Sequence, residues 1–92
     1  MSQRGDDWKK FAEGVAFHIE MYTVPQYGDK GNDQVTDYTA ADCIKQAQKY
    51  LSRFGKNSRE GQQELDFLKV CHYVQMAADK YVEEQEATDA TR

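Results

Sequence analysis

The stretch from Thr39 to about Val82 constrains the fold most, because it predicts two helices folded back on each other. Thr39 is a candidate N-cap, and Asp42 follows three residues later as a capping box with Asp in place of Glu. Gly55 suits the left-handed position that commonly ends a helix. We therefore expect an antiparallel helical hairpin that reverses across residues 55–58.

Apolar side chains recur at helical spacing in both of these segments. The first segment carries Ala40, Cys43, Ile44, Ala47, Tyr50, Leu51 and Phe54. The second runs from about Glu60 to about Glu83. The apolar residues on one side of it are Phe67, Val70, Cys71, Val74, Ala77, Ala78 and Tyr81. Leu65 and Met76 lie on its other side, so we expect this helix to have neighbours on two sides.

The two cysteines are predicted to be free core thiols. A turn centred on residues 57–58 places Tyr50 level with Leu65, and Cys43 at nearly the level of Cys71. Two cysteines are too few for a disulfide scaffold and do not have zinc-ligand spacing. A reducing, cytoplasmic setting is the expectation.

The N-terminal part predicts a first helix that begins at a cap on Asp6 or Asp7 and ends between Ala16 and Tyr22. Its apolar stripe consists of Trp8, Phe11, Ala12, Val15, Ile19 and Tyr22. Residues 1–5 are polar and are expected to fray.

Residues 22–38 form the least helical part of the sequence. β-branched and aromatic residues flank the turn-forming residues 28–33, which favours either a short β-hairpin or an ordered loop. Pro25 cannot donate a ladder hydrogen bond, so its strand would be an edge.

The length of 92 residues predicts a single domain, with an ordered core over 6–83 and a frayed tail over 84–92. A chain this short is marginally stable alone, and dimerisation is a common remedy. Because it starts with Met1 and has no signal peptide or long apolar run, we expect a whole small cytoplasmic protein without a membrane span. The net charge of −4 argues against non-specific binding to nucleic acid.

A basic stripe is the first candidate site. Its four cations are Lys45, Lys49, Arg53 and Lys56. Such a stripe can bind an anion such as phosphate or nucleic acid. The competing interpretation is a solvated face balanced by Glu64 and Asp66, and the acidic net charge favours it.

The two histidines, His18 and His72, are the second candidate site. With Asp29, Asp33, Asp37 or Asp66 they can form a metal site or an acid–base pair. However, the H-E-x-x-H spacing typical of zinc enzymes is absent, which favours hydrogen-bonded structural histidines. No cofactor is predicted.

Two stretches resemble known protein types. The pattern K-Y-L-x-R-x-G-K over 49–56, followed by L-D-x-L-K over 65–69 and by Tyr73, resembles small uncharacterised helical proteins of bacteriophages and bacteria. The sequence HIEMYTVPQYGD over 18–29 resembles part of a conserved bacterial protein type with no assigned activity. The resemblance implies a helical hairpin. Some of these proteins are labelled nucleotide kinases, but this chain has no phosphate loop, so the label does not carry over.

In size and helical content the chain also resembles the all-helical nucleotide pyrophosphatases, which hold magnesium with clustered Glu-x-x-Glu and Glu-x-x-Asp pairs. Here the one such cluster is Glu60, Glu64 and Asp66, and a second acidic pair on another helix is missing. This resemblance stops at the architecture.

Together these features predict a mainly α fold: an N-terminal helix, a long loop with or without a short β-hairpin, and an antiparallel helical hairpin. The leading function is a non-enzymatic interaction module that self-associates as a dimer through its last and first helices. One alternative is binding of a phosphorylated ligand or nucleic acid along Lys45, Lys49 and Arg53. The other is a metal-assisted hydrolase that uses His18 and His72.

Overall fold

The computed structural model describes residues 2–29, 37–56 and 59–90, and every regular element within these ranges is helical. The elements are α1 (Gln3–His18), a π-helical segment (Ile19–Thr23), α2 (Val24–Tyr27), α3 (Ala40–Ser52) and α4 (Gln62–Ala90). The mainly α prediction is confirmed. The alternative β-hairpin is wrong, because the strand predicted around Pro25 is helical instead; residues 30–36 lie outside the described ranges.

Helix α1 begins earlier than predicted, because Ser2 supplies the cap. The Ser2 hydroxyl accepts a hydrogen bond from the Gly5 amide at 3.0 Å, which satisfies one of the free amides of the first turn. The predicted cap at Asp6 or Asp7 is therefore wrong, and these acids lie inside the helix instead.

The N-terminal helix also continues past its predicted end, through the π-helical segment and α2 to Tyr27. Pro25 has no amide hydrogen, and its ring would clash with the carbonyl four residues earlier in a regular α-helix. The wider π turn avoids this conflict, with the Val24 amide donating to the Ile19 carbonyl. Gly28, at φ 90°, ends the helix.

The antiparallel hairpin of α3 and α4 is confirmed. Both halves of the capping box form: the Asp42 amide donates to the Thr39 hydroxyl at 3.1 Å, and the Thr39 amide donates to the Asp42 carboxylate at 2.9 Å. Gly55 adopts the predicted left-handed conformation at φ 79°. Gly61 takes the same conformation before α4 begins.

The register of the hairpin differs from the predicted one by about two turns of α4. Tyr50 stacks on Tyr73 at 5.8 Å instead of lying level with Leu65, and Phe54 meets Phe67 at 5.9 Å. Residues 53–56 add a further tight turn after α3, which moves the reversal along the chain. Side chains also lean toward the N-terminus of their own helix, so contacting pairs lie at higher residue numbers.

Helix α4 is longer than predicted and runs to Ala90, through residues that we expect from composition to fray. The Glu84 carboxylate accepts a hydrogen bond from the Ala40 amide at 3.4 Å, at the N-terminus of α3. A carboxylate at this end of a helix also interacts favourably with the helix dipole. This contact joins the later part of α4 to the first residue of α3.

The core between the helices is built from small residues. Within the described ranges, the fully buried apolar side chains are Cys43, Ala47 and Ala77. Small residues let α3 and α4 approach closely, but they bury little apolar area, so this core stabilises the chain modestly. None of the described helices has both the length and the apolar character needed to cross a membrane.

Candidate functional site

A cleft of about 350 Å³ lies between the N-terminal helix and the hairpin. Its lining comes from the end of α1, the π-helical segment, α2, α3 and α4, together with Tyr38 just before α3. Cavities that hold small molecules usually fall between about 300 and 1,000 Å³, so this cleft is at the lower end of that range.

The N-terminal wall of the cleft is built on the π-helical segment. His18 is only 6% exposed and stacks on Tyr22 at 5.4 Å between ring centroids. Thr23, Gln26 and Tyr27 continue this wall. A π turn widens the helix locally, and such turns occur frequently at functional sites.

The opposite wall is formed by the hairpin. Tyr50 of α3 and Tyr73 of α4 stack with their rings 17° from parallel. Burial, together with the neighbouring Tyr50, raises the pKa of Tyr73 to about 12. Tyr73 therefore remains a neutral phenol at all physiological pH values. Met76 and Leu65 add apolar surface to this wall.

Three cations surround the Tyr50 ring. The guanidinium carbon of Arg53 lies 4.9 Å from the ring centroid, and the ammonium nitrogens of Lys69 and Lys49 lie at 5.2 and 5.6 Å. Among the described residues, none of the three forms an ion pair with a carboxylate. Cation–π contacts hold these charges near Tyr50 without neutralising them.

His18, which lines the cleft, has an unsatisfied polar atom. Its Nδ1 is buried and has no hydrogen-bond partner within the described ranges. Burial lowers the pKa of the His18 imidazole below its ordinary value of 6.5, and the positive charge of Lys69 lowers it further. His18 is therefore neutral at pH 7, with one ring nitrogen able to accept and the other able to donate.

The two histidines predicted as a site, His18 and His72, both line the cleft. The described carboxylates proposed with them are not among the residues that line it. Asp29 and Asp37 are exposed, Asp66 is buried, and Asp33 lies outside the described residues. In the part of the chain that the structure describes, no three His, Cys, Asp or Glu side chains form a group able to hold a metal ion.

The predicted basic stripe is divided by the fold. Lys49 lines the cleft and Arg53 lies over Tyr50, whereas Lys45 and Lys56 are exposed elsewhere. Asp66 does not act as a surface counter-charge. It is buried between the two helices and accepts a hydrogen bond from the Gln62 side chain at 2.9 Å.

Sequence reasoning missed Lys69 as a component of the site. Lys69 follows Leu65 and precedes Tyr73 at spacings of four, which places all three on one flank of α4. That spacing was available in the sequence. Tyr22 and Tyr27 lie opposite this flank because the N-terminal helix continues through Pro25. Local composition did not predict that continuation.

A second feature lies on the opposite side of α4 from the cleft. An outer seam of apolar residues follows the heptad spacing of four and three, and consists of Phe67, Cys71, Val74, Ala78 and Tyr81. Val74 is 46% exposed and Tyr81 is 57% exposed. About half of this apolar surface therefore remains in contact with solvent.

Comparison with known proteins adds no assignment: no protein-family model matches the chain, and no curated protein or solved structure shows significant similarity to it. Function is therefore inferred from the geometry of the cleft and of the outer seam.

Proposed function

We propose that this protein is a non-enzymatic module that self-associates, with a second copy of the chain packing on the outer seam of α4. The observation that carries the proposal is the exposed apolar seam itself. A helix in a stable monomer normally turns its polar side to solvent, and an exposed apolar stripe marks a binding surface.

Helix α4 carries two seams with heptad spacing. The inner seam contains Asp66, Val70, Tyr73 and Ala77 and packs on α3. The outer seam is rotated from it by about 90° around the helix axis. In a four-helix bundle each helix has two neighbours at roughly this angle, so two hairpins that join through their outer seams would complete such a bundle.

Helix α3 supports the same side of the hairpin. Leu51 and Phe54 line a small groove with Phe67 and Val70 on the face away from the cleft. Ile44, seven residues before Leu51, is also exposed. The apolar surface of the outer seam thus extends across both helices of the hairpin.

The accessible area of the chain is larger than that of a compact monomer of the same mass, as expected if part of the surface packs on a partner. The area is 7246 Å², whereas a compact monomer of this mass exposes about 5,500 Å². A standard interface buries about 800 Å² on each partner, so the excess is large enough for a dimer contact. The radius of gyration of 15.2 Å likewise exceeds the roughly 12 Å of a compact domain of this length.

The N-terminal end of α1 supplies a second apolar surface for the same association. Trp8 is 60% exposed and packs on Phe11 at 5.8 Å between ring centroids. Tyr81 and Val82 of α4 are exposed as well. A partner chain can cover both surfaces.

Sedimentation velocity at several protein concentrations tests this proposal. We expect the wild-type chain to sediment as a dimer at micromolar concentration. Val74→Lys should give a monomer, because it places a charge at the centre of the outer seam. Trp8→Lys should weaken the dimer. Strictly monomeric wild-type protein at high micromolar concentration would rule the proposal out.

Phe17→Lys is the matched control. Phe17 is 63% exposed, and it lies on the side of α1 opposite the stripe that contains Trp8. This variant should dimerise like the wild type. Loss of the dimer in all three lysine variants would instead indicate a general loss of folding, which helical circular dichroism would detect.

Cross-linking can locate the contact. Around a two-fold axis through the centre of the seam, Val74 lies next to Val74 of the second copy. In a Cys71→Ser background, Val74→Cys should therefore form an intermolecular disulfide under mild oxidation. Gln75→Cys, whose side chain points away from the seam, should not. Equal cross-linking of both variants would contradict this placement.

A further inference from the structure

The cleft on the other side of the hairpin has features that self-association does not explain. The outer seam faces away from it, so the two surfaces are independent. The cleft combines a volume of about 350 Å³, two pairs of stacked aromatic rings and a local excess of positive charge.

The excess charge stands out because the chain as a whole carries a formal charge of −4. Lys49 and Lys69 reach the cleft from different helices and converge on the same tyrosine ring. Their ammonium nitrogens lie 5.6 and 5.2 Å from the centroid of that ring. Two like charges near one ring repel each other, and an anion bound near both reduces the repulsion. Lysine ammonium groups form strong charge-assisted hydrogen bonds with phosphate oxygens.

The buried polar atom of His18 is a second, independent observation at the cleft. His18 is 6% exposed, and its Nδ1 has no hydrogen-bond partner in the described part of the chain. A buried polar atom without a partner costs free energy, and native proteins rarely leave one unless a ligand or water satisfies it. His18 lines the same cleft as the two lysines.

We propose that the cleft binds a small anionic molecule with an aromatic ring, of the size and chemistry of a nucleoside monophosphate. Lys49 and Lys69 hold the phosphate. The ring lies against the tyrosine walls, and His18 forms one hydrogen bond with the ligand. Aromatic rings stack on tyrosine with little regard to the identity of the base.

Isothermal titration calorimetry at low salt tests the proposal with three probes: the common ribonucleoside 5′-monophosphates, the matching nucleosides, and inorganic phosphate. We expect at least one monophosphate to bind ten times more tightly than its nucleoside and than phosphate. Equal affinity for inorganic phosphate would show that the cations alone account for binding, and it would overturn the proposal. Absence of monophosphate binding would also overturn it.

Lysine variants locate the binding. Lys49→Gln and Lys69→Gln should each weaken monophosphate binding by about tenfold or more, because each removes a charged hydrogen-bond donor. Lys45→Gln is the matched control, since Lys45 is one turn from Lys49 on the same helix and lies outside the cleft. Equal loss in Lys45→Gln would show that binding is non-specific attraction to the helix.

His18→Phe tests the second contact. It keeps a stacking ring beside Tyr22 and removes both ring nitrogens. We expect weaker monophosphate binding with an unchanged helical spectrum. Retention of full affinity in a folded His18→Phe protein would remove His18 from the site. Val74 lies outside the cleft, so the Val74→Lys variant should bind the monophosphate even though it is monomeric. Its binding therefore tests this proposal independently of self-association.

Discussion

His18 shows how a single residue joins two parts of this fold. From the sequence it is a histidine beside the apolar stripe of the first helix, and a structural role is the favoured interpretation. In the folded chain it is buried, stacked on Tyr22 and close enough to Lys69 for the charge to matter. Its neutral state is therefore set by residues that are distant in sequence.

The pKa of His18 predicts a loss of stability in acid. The unfolded chain takes up a proton near pH 6.5, whereas the folded chain resists protonation until a lower pH. The stabilising contribution is therefore complete above about pH 6.5. It is lost as pH falls through the lower folded-state pKa.

Urea unfolding across this pH range, for the wild type and for His18→Gln, measures the effect. The stability difference between the two proteins should shift against the wild type as pH falls. Titration of the His18 ring protons by NMR should give a pKa below 6.5. A measured pKa above that value would contradict the predicted burial of the neutral ring.

At the scale of the elements, glycine has different roles inside a helix and at the end of one. Gly14 lies inside α1, and a Cβ built there meets no atom within 4 Å. Gly55 has φ 79°, a conformation that other residues resist. The same substitution should therefore have opposite effects at the two sites.

We expect Gly14→Ala to stabilise the chain by about 0.5–1 kcal/mol, because alanine restricts the unfolded chain and favours helix. Gly55→Ala should destabilise it by about 1–2 kcal/mol, because a left-handed alanine is strained. Chemical denaturation with a constant m-value measures both. Destabilisation by Gly14→Ala would indicate that α1 is not helical at this position.

The hairpin elements could largely be predicted from sequence. The Thr39–Asp42 capping box, the glycine after α3 and the periodic apolar residues are local signals, and the structure contains the corresponding elements. The N-terminal helix was predicted too short, because β-branched and aromatic residues around Pro25 are typical of strands. The π turn before Pro25 removes the conflict that normally ends a helix at proline.

At the scale of the whole molecule, small buried residues and a large exposed surface predict that folding and association are coupled. When dissociation accompanies unfolding, the melting temperature depends on protein concentration. A hundredfold dilution of the wild type should lower it by about 5 °C or more.

Scanning calorimetry or circular dichroism over this concentration range makes the measurement. Val74→Lys should melt at a lower temperature that does not change with dilution, because it is already monomeric. A wild-type melting temperature that is independent of concentration would mean that the hairpin is stable without a partner.

The sequence by itself determined the helical class, the hairpin and its caps, because these depend on contacts between residues at most a few turns apart. It also identified His18, His72, Lys49 and Arg53 as residues of interest. Only the tertiary structure decided which of them share a cleft, added Lys69, and set the register of α3 against α4. Those outcomes depend on where the chain reverses and on how far the first helix continues. A shift by whole helical turns leaves the periodic pattern of apolar residues unchanged, yet it changes which side chains meet.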